Sequence, residues 1–123
     1  MNDTDPSDGI RRRPSPILPA LGHLHGELRA VHGLSLHGYL VLGAVAEAGD
    51  GPVPVARLTA FLQESGTRMT YVLKDLQAAG LVDRRRRAGD RRTVEVTLTD
   101  AGRARYTDAE RTARALLGRH LEL

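Results

Sequence analysis

Six arginines lie within nine consecutive positions in the second half of this chain, a density that predicts binding to a polyanion. They are Arg84, Arg85, Arg86, Arg87, Arg91 and Arg92. Each contact between a guanidinium group and a phosphate releases condensed counterions, so a dense basic patch binds nucleic acid well. The net charge of the chain is only +3, so the prediction depends on local density. A solvated, arginine-rich loop is the competing interpretation.

A predicted helix just before these arginines carries side chains suited to reading DNA bases. It is expected to run over residues 66–79, with Ser65 as its N-cap and Gly80 at its end. Its apolar residues recur at helical spacing and form one face: Met69, Val72, Leu73 and Leu76. The other face carries hydroxyl, aromatic and cationic groups: Thr67, Arg68, Thr70, Tyr71 and Lys74. Small hydroxyls allow close approach to base edges, and Arg or Lys pairs with guanine O6 and N7. An ordinary exposed helix face is the alternative.

The residues before this helix predict a helix-turn-helix. A short helix is expected over residues 55–62, with a buried face of Val55, Leu58, Phe61 and Leu62. Gln63-Glu64-Ser65 then forms a tight turn, and two short helices joined in this way make the motif. Pro52-Val53-Pro54 is a short extended piece.

The basic residues themselves fall on a predicted hairpin. Strands are expected over residues 81–85 and 93–98, with Ala88-Gly89-Asp90 as the turn between them. In the second strand Val94, Val96 and Leu98 alternate with polar residues, which is the period of a half-buried strand. A hairpin following a helix-turn-helix makes a winged helix.

Helices are predicted on both sides of this unit. The first, from about Ser15 to Gly33, has a seam that repeats every 3.5 residues: Ile17, Leu21, Leu24, Leu28 and Val31. This seam has no obvious use inside a single winged helix, so it predicts a two-fold dimer. A second helix is expected from Ser35 to about Ala48, with inward residues Tyr39, Leu42, Val45 and Ala46. A last helix, capped by Thr99 and running to about His120, is thinly apolar and would add Ala113, Leu116 and Leu117 to the dimer interface.

The predicted fold is therefore mainly α with a small β-wing: a winged helix-turn-helix with flanking N- and C-terminal dimerisation helices. We expect residues 1–14 to be a disordered arm and residues 15–123 to form a single domain, with dimerisation helices at about 15–33 and 100–121. There is no run of eighteen apolar residues and no apolar segment typical of a secretory signal. A cytoplasmic, nucleoid-associated bacterial protein without membrane contact is expected.

Enzymatic and metal-binding chemistry are not predicted. The chain has no cysteine, which excludes disulfides and thiolate ligands. It also lacks a phosphate-cradling loop, a nucleophile elbow and a convincing pair of buried carboxylates. His23 and His25 lie on different helix faces, and His32 and His37 flank a glycine break, so a zinc site is poorly supported. No catalytic residue, metal ligand or cofactor is assigned.

Three ordered elements give the chain a family resemblance. They are Gly80-Leu81-Val82 with Arg84 following, Asp90-Arg91-Arg92, and Leu98-Thr99-Asp100-Ala101-Gly102. With Leu34-Ser35, Tyr39 and Leu42 upstream, residues 34–102 resemble a MarR-type transcriptional regulator. The resemblance implies that Asp90 braces the wing, that Arg92 enters a minor groove and that Arg91 lies near phosphate. It also implies a homodimer built from the N- and C-terminal helices, often released from DNA by a small phenolic or carboxylic ligand.

The chain departs from the family pattern in two places. Glu64 stands in the turn where the family usually has an apolar residue, and the chain stops at Leu123 without the family's additional C-terminal helix. The first helix is therefore expected to carry more of the dimer interface. If an aromatic or carboxylic effector binds, we expect it where an aromatic ring and cations meet at the helix junction, near His25, Arg29, His32 and Tyr39.

Three functions remain in competition at this point. The leading one is a dimeric, sequence-specific regulator of transcription, expected to repress rather than to activate, acting on double-stranded DNA. The second is an architectural protein that binds DNA of any sequence through its arginines. The third is a winged-helix module that binds another protein through the polar helix face.

Overall fold

The computed structural model describes residues 16–121 of the chain. This part contains five helices and three strands: α1 (Ile17–His32), α2 (Leu36–Glu47), β1 (Val53–Pro54), α3 (Val55–Leu62), α4 (Gly66–Ala78), β2 (Val82–Arg87), β3 (Asp90–Leu98) and α5 (Asp100–Leu121). The predicted winged helix-turn-helix class is confirmed, with α3 and α4 as the helix-turn-helix and the β2–β3 hairpin as the wing. The predicted N-terminal arm, residues 1–14, lies outside the described residues. No helix within residues 16–121 has the length and apolar character that crossing a membrane requires.

Three of the five helices within residues 16–121 begin at hydroxyl caps. Ser35 Oγ accepts the Gly38 N–H at 2.9 Å, and Ser65 Oγ accepts the Arg68 N–H at 3.1 Å. Thr99 Oγ accepts the Gly102 N–H at 2.9 Å at the start of α5. Each cap satisfies a backbone donor that has no partner inside its own helix.

The sheet has one more strand than the predicted hairpin and a shorter turn. Its order is β1-β3-β2, and Val53 of β1 pairs with Val96 of β3. The sequence predicts the turn as Ala88-Gly89-Asp90, but Asp90 belongs to β3 and pairs with Arg87. The two remaining turn residues suffice because Gly89 has a φ of 82°, a conformation that favours glycine. The wing thus projects further than expected, up to Arg87 and Asp90.

One core prediction in the helix-turn-helix is wrong. Phe61 is predicted on the buried face of α3, yet 67% of its surface is exposed. Leu58 is fully buried, and Val55 and Leu62 lie beside it on one side of the helix. Because this short helix contacts the core through a narrow stripe, Phe61 falls on its flank.

The dimer-seam prediction for the first helix requires a larger correction. Leu24 and Leu28 are buried inside the chain, because α1 packs along α5 of the same molecule. The buried contact residues are Ala20, Leu24 and Leu28 on α1 and Ala109, Ala113 and Leu116 on α5. The alanines allow close helix approach, so Ala113 and Leu116, also predicted at the dimer interface, are core residues of one chain. Ile17, Leu18, Leu21 and Val31 stay exposed.

Candidate nucleic-acid interface

Helix α4 presents the polar face that the sequence predicts. Met69, Leu73 and Leu76 hold it on the core, with at most 5% of each surface exposed. The opposite side leaves exposed the N-cap and five further side chains: Ser65, Thr67, Arg68, Thr70, Tyr71 and Lys74. The Thr70 hydroxyl donates to the Gly66 carbonyl at 2.9 Å, so it can offer a ligand its oxygen as an acceptor and its methyl group.

Three of the six wing arginines are held by partners within the protein. Arg84 Nε donates to Gln77 Oε1 at 2.8 Å, which ties the wing to the end of α4. Arg86 Nη1 donates to the Arg91 carbonyl at 2.6 Å. Arg87 Nε donates to Glu95 Oε2 at 3.0 Å across the hairpin. These contacts tie the three side chains to the protein, and the Arg87–Glu95 ion pair neutralises one positive charge. Spacing along the sequence does not reveal them.

The other three wing arginines, Arg85, Arg91 and Arg92, are exposed. Within residues 16–121 their side chains make no hydrogen bond or ion pair. Extended cations without internal partners are the groups best placed to contact phosphates. Three of the six arginines therefore bind other groups of the protein, and the other three are available to bind phosphate.

Asp90 organises the tip of the wing. Its carboxylate accepts the Thr93 hydroxyl at 2.7 Å and the Arg92 backbone N–H at 3.1 Å. These hydrogen bonds, the Thr93 one first, lower the pKa of Asp90 below its ordinary value. The geometry fits the bracing role that the family resemblance implies, because it fixes the backbone from which Arg92 extends.

The helix-turn-helix turn contains an ionic cluster that the sequence does not predict. Glu64 Oε2 lies 2.7 Å from His37 Nε2 of α2, and Glu64 Oε1 lies 3.4 Å from Arg68 Nε of α4. Gln63, before it, adopts a left-handed φ of 54°. In the sequence, only the unusual acid in the turn points to this site. Its partner His37 is 27 residues away along the chain.

The four predicted effector-pocket residues do not line one common cavity among those found within residues 16–121. His32 Nε2 is hydrogen-bonded to Thr112 Oγ1 at 2.7 Å, and the Tyr39 ring stacks on Tyr106 with centroids 5.7 Å apart. Burial raises the pKa of Tyr106 to about 12, and it also raises the pKa of Tyr39 above its ordinary value. His25 is exposed. Of five surface cavities formed by residues 16–121, one of about 140 Å³ is lined in part by Arg29. His25, His32 and Tyr39 line none of the five.

Metal ligands do not cluster in the described part of the chain. No group of three or more His, Asp and Glu side chains there is arranged to hold an ion. His23 and His120 are hydrogen-bonded at 2.8 Å, but they form only a pair, which links the first half of α1 to the end of α5.

Solved structures share this architecture along most of their length. The transcriptional regulator BldR from Sulfolobus solfataricus is 25% identical, with a TM-score of 0.78 over 99% of this chain and 86% of that one. A MarR-family transcriptional regulator from Rhodococcus sp. RHA1 is 26% identical, with a TM-score of 0.79 over 97% and 83%. CouR from Rhodococcus jostii RHA1, solved with p-coumaroyl-CoA, is 25% identical, with a TM-score of 0.75 over 98% and 80%. No curated protein matches the chain.

A family model agrees with these likenesses. The model described as MarR family matches residues 32–93, half of the chain, which contain the helix-turn-helix and most of the wing. The resemblance seen in the sequence is thereby confirmed, and the family consists of transcriptional regulators, not enzymes. The chain belongs to the MarR family of DNA-binding transcriptional regulators.

Proposed function

We propose that this regulator is a homodimer that recognises a specific double-stranded DNA site and represses transcription from it. The proposal depends on one observation: the exposed face of α4 and the basic wing lie side by side and are linked by a hydrogen bond. The exposed polar face of α4 suits base edges, and the wing beside it, fixed through the Gln77–Arg84 hydrogen bond, carries three arginines available to phosphate. In this proposal the protein acts on nucleoid DNA in the cytoplasm.

In this proposal the α4 face reads bases, and the wing binds the DNA backbone. Arg68, Lys74 and the Thr67 hydroxyl on α4 contact bases in the major groove, while Arg85, Arg91 and Arg92 hold the backbone and a narrow minor groove. The six-arginine cluster also favours a second candidate, an architectural protein that binds any duplex. The two candidates differ in whether α4 discriminates among sequences.

Salt-dependent binding of two variants separates these candidates. The preferred site is first selected from random duplexes, and Kd is then measured against salt on that site and on a scrambled duplex. Arg92→Ala should weaken binding to both duplexes and, by removing a cation that pairs with one phosphate, make the log–log salt slope shallower by about one unit. Arg68→Ala should weaken binding mainly to the selected site, by on the order of 1–3 kcal/mol, and mainly through one base position.

Arg111→Ala is a suitable control for both variants. Its side chain pairs with Asp108 on the exposed side of α5, outside α4 and the wing, and its removal changes the net charge equally. We expect little change in binding to either duplex. Equal losses on both duplexes for Arg68→Ala and Arg92→Ala would favour the architectural function.

We further propose that a small aromatic or carboxylic ligand releases this regulator from DNA. CouR, which is similar in fold, was solved with p-coumaroyl-CoA, whose acyl group carries a phenol ring. Arg29 supplies a guanidinium group at a cavity of about 140 Å³ formed with Leu34 and Val72, where α1, α2 and α4 meet. A ligand there touches the recognition helix directly, so its binding can be coupled to DNA affinity.

Thermal unfolding with a panel of aromatic carboxylates tests this release. A true effector at one hundred times its Kd should stabilise the protein by roughly 2.7 kcal/mol and raise the melting temperature by several degrees. The same compound should weaken DNA binding, and Arg29→Ala should reduce both effects. A panel that never shifts the melting temperature would indicate a regulator without such a ligand.

A further inference from the structure

Glu64 joins three elements of the DNA-binding unit through its carboxylate. It lies in the turn between α3 and α4, contacts His37 of α2 at 2.7 Å and contacts Arg68 of α4 at 3.4 Å. Only 16% of its side chain is exposed, against 42% for His37 and 58% for Arg68. The acid is therefore the sheltered centre of the cluster, and its two partners extend towards solvent.

The contact constrains how Arg68 can present its guanidinium group. Glu64 Oε1 lies 3.4 Å from Arg68 at Nε, and the terminal Nη atoms make no hydrogen bond among residues 16–121. A guanidinium group held by an acid loses fewer rotamers when it binds, because its planar fork is already oriented. The two terminal nitrogens can then donate to O6 and N7 of one guanine.

The surroundings of Arg68 are open enough to receive a base edge. A cleft of about 500 Å³ lies beside it, lined by Ser65, Thr67, His37 and Tyr71 among others. These are hydroxyl, imidazole and phenol groups, all of which can hydrogen-bond to a nucleotide. The cleft is on the face of α4 that the proposed function directs into the major groove.

We propose that Glu64 is a positioning residue that sets base specificity, by orienting Arg68 for one guanine while His37 anchors the acid from α2. This inference rests on the proposed function, since it presupposes that α4 reads bases. It assigns a role to the acid that stands where the family usually has an apolar residue. The negative charge of Glu64 also opposes loose binding of DNA near the helix start, so the same side chain favours the correct sequence and disfavours others.

A purely structural role for Glu64 makes a different prediction. An acid near the start of a helix stabilises it through the helix dipole, and Glu64 comes just before the cap of α4. Without that stabilisation the melting temperature would fall and binding to every duplex would weaken alike. A structural role alone therefore cannot weaken affinity for the selected site while leaving affinity for random DNA unchanged.

The test measures Kd on the selected site, on variants of that site changed at each single base pair, and on a random duplex. Glu64→Ala should lower discrimination at one G·C pair by about five-fold or more, the lower end for a bidentate contact. Its Kd for random DNA should stay the same or fall. Glu64→Gln keeps one acceptor oxygen and should be intermediate. Asp108→Ala, which removes an equal charge from an exposed ion pair on α5, should leave discrimination unchanged.

A double-mutant cycle completes the test. In an Arg68→Ala background, Glu64→Ala should cause no further loss at that base pair, and His37→Ala alone should resemble a weaker Glu64→Ala. Discrimination that is unchanged in Glu64→Ala, or that falls equally with and without Arg68, would overturn the inference while leaving the proposed function intact. A wild-type protein that does not distinguish its selected site from random DNA would overturn both.

Discussion

Gly102→Ala is expected to destabilise this protein severely, although alanine normally favours a helix. A Cβ atom at this position would lie 1.9 Å from the carbonyl oxygen of Leu81, 2.9 Å from its carbonyl carbon and 3.2 Å from its Cα. These are backbone atoms, so no side chain can rotate away to make room. Either α5 or the start of β2 must move, and overpacking of this kind costs on the order of 3 kcal/mol or more.

The junction around Gly102 explains why such movement is costly. The Leu81 carbonyl accepts the Thr99 N–H at 3.1 Å, and the Thr99 hydroxyl donates to the Gly80 carbonyl at 2.6 Å. The same hydroxyl caps α5 by accepting the Gly102 N–H. Displacing the helix therefore breaks the contacts that join the end of α4, the wing and α5.

Thermal unfolding measures the effect, with Gly26→Ala as the matched control. Gly102→Ala should lower the melting temperature by roughly 10 °C or more. Gly26 lies inside α1, and a Cβ added there meets nothing within 4 Å. The same substitution should therefore stabilise by about 1 kcal/mol through helix propensity. A Gly102→Ala protein as stable as the wild type would show that the close approach of α5 and β2 is not required.

Features that depend on a few neighbouring residues could be predicted from the sequence. The caps at Ser35, Ser65 and Thr99 bond to backbone groups three residues away, so each is readable in a short window. The apolar face of α4 repeats at helical spacing and is buried as expected. The helix-turn-helix and the wing follow from these local signals, because they are built from consecutive elements.

Features that depend on distant residues could not be predicted in the same way. The seam in the first helix is real as a pattern, but a pattern does not say which partner covers it. The partner of Leu24 and Leu28 is α5, some eighty residues later in the same chain. Likewise, no sequence feature near β1 predicts that this strand pairs with β3.

In the candidate site, too, some features depend on neighbouring residues and others on distant ones. Its exposed residues on α4 and the wing follow from periodicity and charge. The partners that hold Arg84, Arg86 and Arg87, and the contact between His37 and Glu64, depend on how strands and helices meet in space. The sequence therefore identifies the cations but not which of them are available.

Introducing negative charge at Leu18 and Leu21 is expected to convert the proposed dimer into monomers. These side chains are 77% and 43% exposed at the start of α1, whereas Leu24 and Leu28 belong to the core. The hydrogen bond between His23 and His120 places the first half of α1 beside the end of α5, where Leu117 and Leu121 are only partly buried. The two helices thus share an apolar end that a second copy can cover.

Disrupting the dimer should weaken operator binding by on the order of 100-fold or more. A two-fold dimer places two recognition helices about 34 Å apart, so the second half-site is bound at a high effective concentration once the first is occupied. A monomer keeps the contacts to one half-site but not this advantage. The doubly substituted variant, Leu18→Glu with Leu21→Glu, should therefore bind an isolated half-site as the wild type does, yet no longer prefer a palindrome.

Sedimentation and circular dichroism together show whether the doubly substituted variant is a folded monomer. The variant should sediment as a monomer with an unchanged helical signal, because its two side chains are outside the core of the chain. Phe61→Glu is the control, since it adds a charge at an apolar side chain on α3 that is 67% exposed, and it should remain dimeric. A folded variant of unchanged mass would show that this end of α1 is not the interface. A monomer that still prefers the palindrome would show that dimerisation does not produce the two-fold recognition.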